Sequence, residues 1–128
     1  RVLPNAFMEN LKEILLKIEA CGTTKLFLNT NHPTNKGYIG KSKNINYEES
    51  NRKYNHCIRE VYKHLKIKNL DIDIIDIEEK WDQILKNNNN IIIDDFLLPD
   101  GVHLNLEGHN LYKKIVNKKI ISFIDNNI

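Results

Sequence analysis

Residues 100–109 read Asp-Gly-Val-His-Leu-Asn-Leu-Glu-Gly-His. Asp100 precedes His103 by three residues, and a helical apolar pattern begins directly after the pair. Gly101 permits backbone angles that a side chain would forbid, so a tight turn can bring the carboxylate to Nδ1 of the imidazole. An acceptor at Nδ1 leaves Nε2 free to take a proton from a hydroxyl group. The segment therefore predicts an acid–base pair of the kind that activates a nucleophilic serine.

The chain offers this pair no recognisable nucleophile. Neither Gly-Asp-Ser nor Gly-x-Ser-x-Gly occurs in its 128 residues. Ser42 lies in a Lys-rich loop, Ser50 early in a predicted helix and Ser122 within the last predicted helix. None of these serines has the strand-turn-helix setting of a nucleophile elbow. The sequence thus predicts two members of a catalytic triad without the third.

Composition is that of an ordinary globular domain, with 41% hydrophobic and 28% charged residues and a net charge of +2. The lysines are spread along the chain, which argues against a nucleic-acid partner. No apolar run approaches the roughly 20 residues of a membrane span. Cys21 and Cys57 lie outside any Cys-x-x-Cys motif, and we expect both to be buried free thiols.

Helical and extended patterns alternate along the chain. The apolar spacing predicts helices at residues 5–20, 48–65 and 106–125, a short helix at 78–86, and strands at 25–29 and 70–76. Residues 30–46 are predicted to form a long loop, and residues 91–93 either a short strand or a plug in the core. Asn105 is a plausible N-cap of the last helix.

This alternation indicates an α/β architecture with a parallel sheet. Two strands fall short of the usual ~4–6 in a sheet, and parallel sheets need cover on both faces. The chain is therefore predicted to be the later part of a larger domain, which agrees with the missing nucleophile.

Residues 100–109 resemble the last conserved block of the SGNH, or GDSL-type, hydrolases, which typically reads Asp-Gly-x-His-x-Asn-x-x-Gly followed by His or Tyr. Residues 25–33 are similar to that family's strand and Pro-containing loop, and residues 72–77 to its strand ending in Val-Asp-Leu. The resemblance implies a three-layer α/β/α sandwich of the flavodoxin-like type, incomplete here. Residues 1–128 would form the C-terminal part of one such domain.

The resemblance also implies roles for two residues. Asp100 would be the orienting acid and His103 the general base of a serine esterase that acts on carboxylic or O-acyl (acetyl) esters. The family's serine and its oxyanion-hole glycine and asparagine have no counterpart here, so they would lie on an N-terminal segment or a separate chain. The 128 residues alone would not be a competent enzyme. The substrate would be a small-molecule, glycan or lipid ester, and no cofactor is implied.

Asn31 and His32 follow the first predicted strand, at the end where parallel sheets bind ligands. They are predicted to line the substrate cleft. The competing interpretation of His32 is an ordinary loop histidine. Trp81 is predicted to anchor the core, and Asp76, which ends a strand, to anchor a loop.

Two further interpretations of the last block stay open. Asp100, His103 and His109, joined by Asp94 or Asp95, could form a metal site, although two histidines six residues apart lack the spacing of a helical metal pair. His109 is otherwise expected to pack at the start of the last helix. Alternatively, the chain is a truncated α/β module kept for binding or structure, in which the Asp-His pair has no catalytic role.

Overall fold

A computed structural model describes residues 2–22, 25–39 and 42–127 of the chain. In these residues the chain is mostly helical, with one parallel and one antiparallel pair of strands. In chain order the elements are α1 (Pro4–Ala20), β1 (Leu26–Asn29), β2 (Tyr38–Ile39), β3 (Ser42–Asn46), α2 (Tyr47–Ile67), β4 (Ile72–Ile75), α3 (Ile77–Asn87), a 3-10 turn (Ile93–Phe96) and α4 (Leu106–Asn127).

The pairing of β1 with β4 confirms the predicted parallel α/β arrangement. The register places Leu26 opposite Ile72 and Asn29 opposite Ile75. Both strands are short and mainly apolar, as expected for strands that are covered by helices. Their carboxyl ends lie side by side, and the loop after β1 and the start of α3 both begin there.

Alternate side chains of β1 enter two different apolar clusters, as the two-residue period of a strand requires. Leu26 and Leu28 contact the cluster that involves α1 and α2, whereas Phe27 contacts the cluster that involves α3, the 3-10 turn and α4. The buried members are Leu15, Val61, Leu65 and Ile72 in the first cluster, and Ile75, Ile77, Trp81, Leu97 and Leu104 in the second. Trp81 is fully buried, which confirms its predicted place in the core.

Side-chain caps fix where two of the helices begin. Asn46 accepts hydrogen bonds from the first-turn N–H groups of α2, at 2.9 Å from Glu48 and 3.4 Å from Glu49. Asn105 Oδ1 accepts from the N–H of Gly108 at 2.9 Å, which confirms the predicted N-cap of α4. The cap thereby fixes the start of α4 directly after the segment that carries Asp100 and His103.

One local prediction was wrong, and one alternative left open by the sequence is resolved. The expected loop at residues 30–46 contains the antiparallel pair β2–β3, with residues 40 and 41 outside the described part. β2 has only two residues and β3 reads Ser-Lys-Asn-Ile-Asn, so no apolar alternation marked the pair. Residues 91–93 form no strand; the 3-10 turn begins at Ile93, and the side chain of Ile93 packs in the second cluster, which is the alternative of a plug in the core.

The two cysteines differ. Cys57 lies on the inner face of α2 and is buried, as predicted. Cys21 follows the last residue of α1 and is exposed, which corrects the prediction of a buried thiol. It is exposed because the apolar stripe of α1 has ended before this position.

Gly108 allows α4 to pack closely against the segment before it. A Cβ built on Gly108 would collide with the carbonyl oxygen of Phe96 and lie 2.8 Å from Leu104 Cδ2. We expect Gly108→Ala to lower the free energy of unfolding by about 1–3 kcal/mol, measured by urea denaturation, because the backbone carbonyl cannot move aside easily. Gly37→Ala is the matched control, since nothing lies within 4 Å of its built Cβ. Equal stability of the two variants would contradict this packing.

Candidate functional site

Residues 97–104 form a narrow hairpin, called here the Asp-His turn. The N–H of Gly101 donates to the carbonyl of Leu98 at 2.9 Å, closing a β-turn with Pro99 at its second position. The N–H of Leu98 donates to the carbonyl of His103 at 2.7 Å. Gly101 has φ of +72°, a conformation that favours glycine. The segment therefore forms the tight turn that its glycine predicts.

Both ends of the Asp-His turn are anchored in the core. Leu97 and Leu104 pair in an antiparallel bridge, and both side chains are buried in the cluster around Trp81. Asn105 Nδ2 adds a hydrogen bond of 2.9 Å to the carbonyl of Asp95. The tip of the Asp-His turn is thus exposed, while both of its ends are held in the core.

Asp100 and His103 meet at this tip. Asp100 Oδ2 lies 2.5 Å from His103 Nδ1, while Asp100 Oδ1 accepts from the backbone N–H groups of Val102 at 2.8 Å and His103 at 2.9 Å. The hydrogen bond from His103 and those from the two N–H groups hold the pKa of the Asp100 carboxyl well below its usual range. Because an ionised carboxylate only accepts hydrogen bonds, Nδ1 of His103 is the donor and carries the proton.

The other ring nitrogen of His103 faces outward. The His103 side chain is 74% exposed and that of Asp100 43% exposed. In the part of the chain that the structure describes, Nε2 has no hydrogen-bond partner, and no serine hydroxyl contacts it. The arrangement can accept a proton at Nε2 from a group that approaches from outside.

The ionised state of Asp100 predicts which ring nitrogen of His103 carries the proton, and this can be measured in the 128-residue chain. In the neutral ring of His103, we expect ¹⁵N NMR to find the proton on Nδ1. Asp100→Asn should shift the proton to Nε2, because the amide can present an N–H to Nδ1. Glu107→Gln, an exposed acid on the first turn of α4, serves as control. A wild-type ring protonated at Nε2 would contradict the geometry.

The loop after β1 reaches the Asp-His turn. His32 Nε2 lies 2.8 Å from the carbonyl oxygen of Val102, and the N–H of Asn35 donates to the carbonyl of Gly101 at 2.9 Å. The His32 ring is half-buried, with its centroid 6.0 Å from that of Trp81. His32 is therefore bonded to the turn, a contact between residues 70 positions apart.

Asn31 occupies a different position from His32. Its side chain is exposed, whereas its backbone is held by Asn55, which accepts from the Asn31 N–H at 2.8 Å and donates to the Asn31 carbonyl at 3.0 Å. A cavity of about 370 Å³ opens beside it. The lining residues are Val2, Phe7, Asn31, Tyr47, Ser50, Asn51 and Tyr54. Of the predicted site residues, Asn31 lines this cavity, whereas His32, Asp100 and His103 do not.

A second cavity, of about 640 Å³, lies between the carboxyl-terminal halves of α1 and α2. Charged side chains such as Glu13, Lys17 and Lys68 dominate its lining. None of Asn31, His32, Asp100 and His103 lines it, so its size gives it no part in the predicted chemistry.

A buried polar network supports the carboxyl ends of β1 and β4. Arg59 contacts both oxygens of Asp76, at 2.6 and 2.8 Å, and one oxygen of Glu78, at 3.0 Å. Thr30 donates to Asp76 at 2.9 Å, and Asn55 donates to Glu78 at 2.6 Å. Asp76 thus anchors the loop after β1, as predicted from its position at a strand end.

Sequence reasoning missed Asn55 and Arg59. Asn55 is fully buried, and its spacing to Ile58 and Tyr62 places it on the apolar stripe of α2. A polar residue within such a stripe signals a buried hydrogen-bond donor or acceptor, so this position could have been found. Arg59, one residue beyond Ile58, carried no such signal.

The metal interpretation finds no set of ligands. No group of three His, Cys, Asp or Glu side chains that could hold a metal ion occurs among the described residues. His109 is exposed in the first turn of α4, which corrects the expectation that it packs there. Asp94 instead accepts a hydrogen bond from Asn35 at 2.5 Å.

No protein-family model matches the chain, and no curated protein or solved structure is significantly similar to it. Over the described ranges, no helix is long and apolar enough to cross a membrane. The chemistry of the site therefore has to be argued from its own geometry.

Proposed function

We propose that this chain is the acid–base part of a serine ester hydrolase of the SGNH type. The observation that carries the proposal is the Asp100–His103 pair, in which an ionised carboxylate holds Nδ1 while Nε2 faces outward. This is the arrangement that general-base activation of a hydroxyl needs. The same two side chains occupy the positions of the acid and the histidine in the SGNH block that residues 100–109 resemble.

In each half of the proposed reaction, His103 takes one proton and gives it up again. Nε2 takes the proton from a serine hydroxyl as the serine oxygen bonds to the ester carbonyl carbon. The bond from that carbon to the alcohol oxygen then breaks, and His103 gives its proton to the leaving alcohol. Water then attacks the acyl carbon while His103 takes its proton, the bond from that carbon to the serine oxygen breaks, and His103 returns the proton to the serine as the carboxylic acid leaves. Asp100 stabilises the imidazolium at both stages.

The nucleophile and the oxyanion hole are proposed to lie on polypeptide other than these 128 residues, as an N-terminal segment or a separate chain. Within the described residues, no strand pairs with the second edge of β1. The unpaired edge suits a neighbouring strand, which would extend the sheet into a three-layer α/β/α sandwich with residues 1–128 as its C-terminal part.

The substrate is proposed to be a small-molecule, glycan or lipid ester. The cavity beside Asn31 opens at the carboxyl end of β1, where parallel sheets bind ligands. Its lining mixes aromatic rings from Phe7 and Tyr54 with amide groups, so it suits a ligand with both apolar and polar parts.

The second candidate is a binding or structural module without catalysis. The exposure of His103, with no hydroxyl at Nε2 in the described part, favours this candidate. The turn is closed by its own hydrogen bonds, so its shape does not require a catalytic role. The two candidates differ in one respect. An enzyme must bring a reactive serine to Nε2, whereas a module need not.

The test uses the complete protein, meaning this chain together with the polypeptide that carries the nucleophile. We expect the complete protein to hydrolyse p-nitrophenyl acetate and to lose this activity when a serine-reactive phosphonate is added. The 128-residue chain alone is the matched control, and it should show neither activity nor labelling. Absence of ester hydrolysis in the complete protein would favour the non-catalytic module.

A further inference from the structure

We propose that His32 is a positioning residue, which holds the peptide unit before His103 and thereby aims the imidazole; this rests on the proposed function. His32 does not line the cavity beside Asn31; its role follows from what its ring contacts and from how its own loop is held.

One peptide unit joins Val102 to His103, and both of its polar groups are bonded. Its N–H, which belongs to His103, donates to Asp100 Oδ1 at 2.9 Å. Its carbonyl, which belongs to Val102, lies 2.8 Å from His32 Nε2. Because a peptide unit is planar, bonds at its two ends fix its rotation. The Cα of His103 lies in this plane, and the hydrogen bond from Nδ1 to Asp100 Oδ2 then directs the ring.

The chemistry of this contact assigns the donor. A carbonyl oxygen can only accept, so His32 Nε2 must carry a proton. Neutral His32 is therefore protonated at Nε2, whereas neutral His103 is protonated at Nδ1. The two histidines have opposite tautomers, and only His103 has Nε2 available as a base.

His32 is itself held firmly. Asn51 Nδ2 donates to the His32 carbonyl at 2.9 Å, and Asn55 holds the peptide groups on either side of Asn31. Pro33 follows and is buried, which restricts the backbone further. The ring lies beside the fully buried Trp81. The hydrogen bond to Val102 therefore connects the Asp-His turn to the rigid face of α2.

Two substitutions separate the hydrogen bond from the packing. His32→Phe keeps a ring next to Trp81 but removes the donor. His32→Gln keeps an N–H donor near the position of Nε2. In the 128-residue chain, we expect the backbone order parameter of His103 to stay near 0.85 in the wild type and in His32→Gln, and to fall below about 0.6 in His32→Phe.

In the complete protein, His32→Phe should lower kcat of ester hydrolysis on the order of 10²-fold with KM little changed, since a misplaced base slows the reaction without weakening binding. His32→Gln should recover at least a tenth of the lost rate. A purely structural loss would lower the unfolding temperature and would not show this rescue.

Each outcome decides one proposal. An order parameter near 0.85 in His32→Phe overturns the positioning role, whatever the activity. A raised KM with unchanged kcat also overturns it, because His32 would then bind substrate. A fall in the order parameter, together with no ester hydrolysis by the wild-type complete protein, keeps His32 as the holder of this peptide unit and removes the esterase.

Discussion

Asp100→Asn in the complete protein should slow ester hydrolysis by about 10⁴-fold, the size of effect seen when the orienting acid of a serine triad is replaced by its amide. The amide leaves the shape of the turn intact, because its oxygen still accepts the N–H bonds of Val102 and His103. It presents an N–H to Nδ1, however, and so places the His103 proton on Nε2, where a base is needed. The loss should appear in kcat, measured with a saturating chromogenic ester.

His103→Ala should cost at least as much activity, and the double variant should be no slower than His103→Ala alone. Because Asp100 and His103 act as one unit, replacing either removes the function of both. The losses of activity in the two single variants should therefore not add in the double variant. A double variant that is slower by the product of the two single effects would mean that Asp100 and His103 act independently. A fully active His103→Ala would remove the base from the mechanism.

Arg59→Met should give the largest loss of stability of the variants described, about 3 kcal/mol by urea denaturation, since removing the Arg59 side chain, itself 27% exposed, leaves two largely buried carboxylates without their cation. Its partners Asp76 and Glu78 are only 14% and 6% exposed. Arg52→Met is the matched control: Arg52 also pairs with acidic side chains but is 44% exposed, so its loss should be below about 1 kcal/mol.

The loss of stability in Arg59→Met should change with pH in a defined direction. Burial raises the pKa of Asp76, but the hydrogen bonds from Arg59, Glu79 and Thr30 outweigh it and hold that pKa below its ordinary value. The wild type therefore gains stability from Asp76 above the unfolded-state pKa of about 3.9 and loses it as the pH falls through the lower folded-state value. The deficit of Arg59→Met should narrow on acidification. A deficit that stays constant from neutral pH to about pH 3 would contradict the role of Asp76.

A triple variant separates lost charge from lost packing. Adding Asp76→Asn and Glu78→Gln to Arg59→Met removes the buried charges while keeping the oxygens that accept hydrogen bonds. We expect part of the lost stability to return, because a neutral buried group costs less to desolvate than an unpaired charged one. No recovery would mean that Arg59 contributes through its packing alone.

Short-range features were the ones that the sequence could predict. The helices follow from apolar spacing within each segment, and the Asp100–His103 pair spans three residues across a turn whose proline and glycine indicate its shape. The parallel pairing of β1 with β4 follows from the alternation of helices and strands. Each of these rests on residues close in the chain or on the order of elements.

Long-range polar contacts were not predictable in the same way. The bond from His32 to Val102 joins residues 70 positions apart, and nothing in the spacing of either segment indicates it. Arg59 reaches Asp76 and Glu78 only once α2 packs on the strand ends. Asn55 is the exception, because a polar residue within an apolar stripe marks a buried partner even before the fold is known.

The proposed hydrolase can be tested most directly by labelling the complete protein with a serine-reactive phosphonate and measuring intact masses under denaturing conditions. We predict a single adduct, located by peptide mapping on a serine outside these 128 residues, and its loss in His103→Ala. Gly37→Ala, which alters an exposed loop position, should label like the wild type. No adduct on the wild type, or an adduct that forms equally fast in His103→Ala, would contradict the proposal that His103 activates a serine.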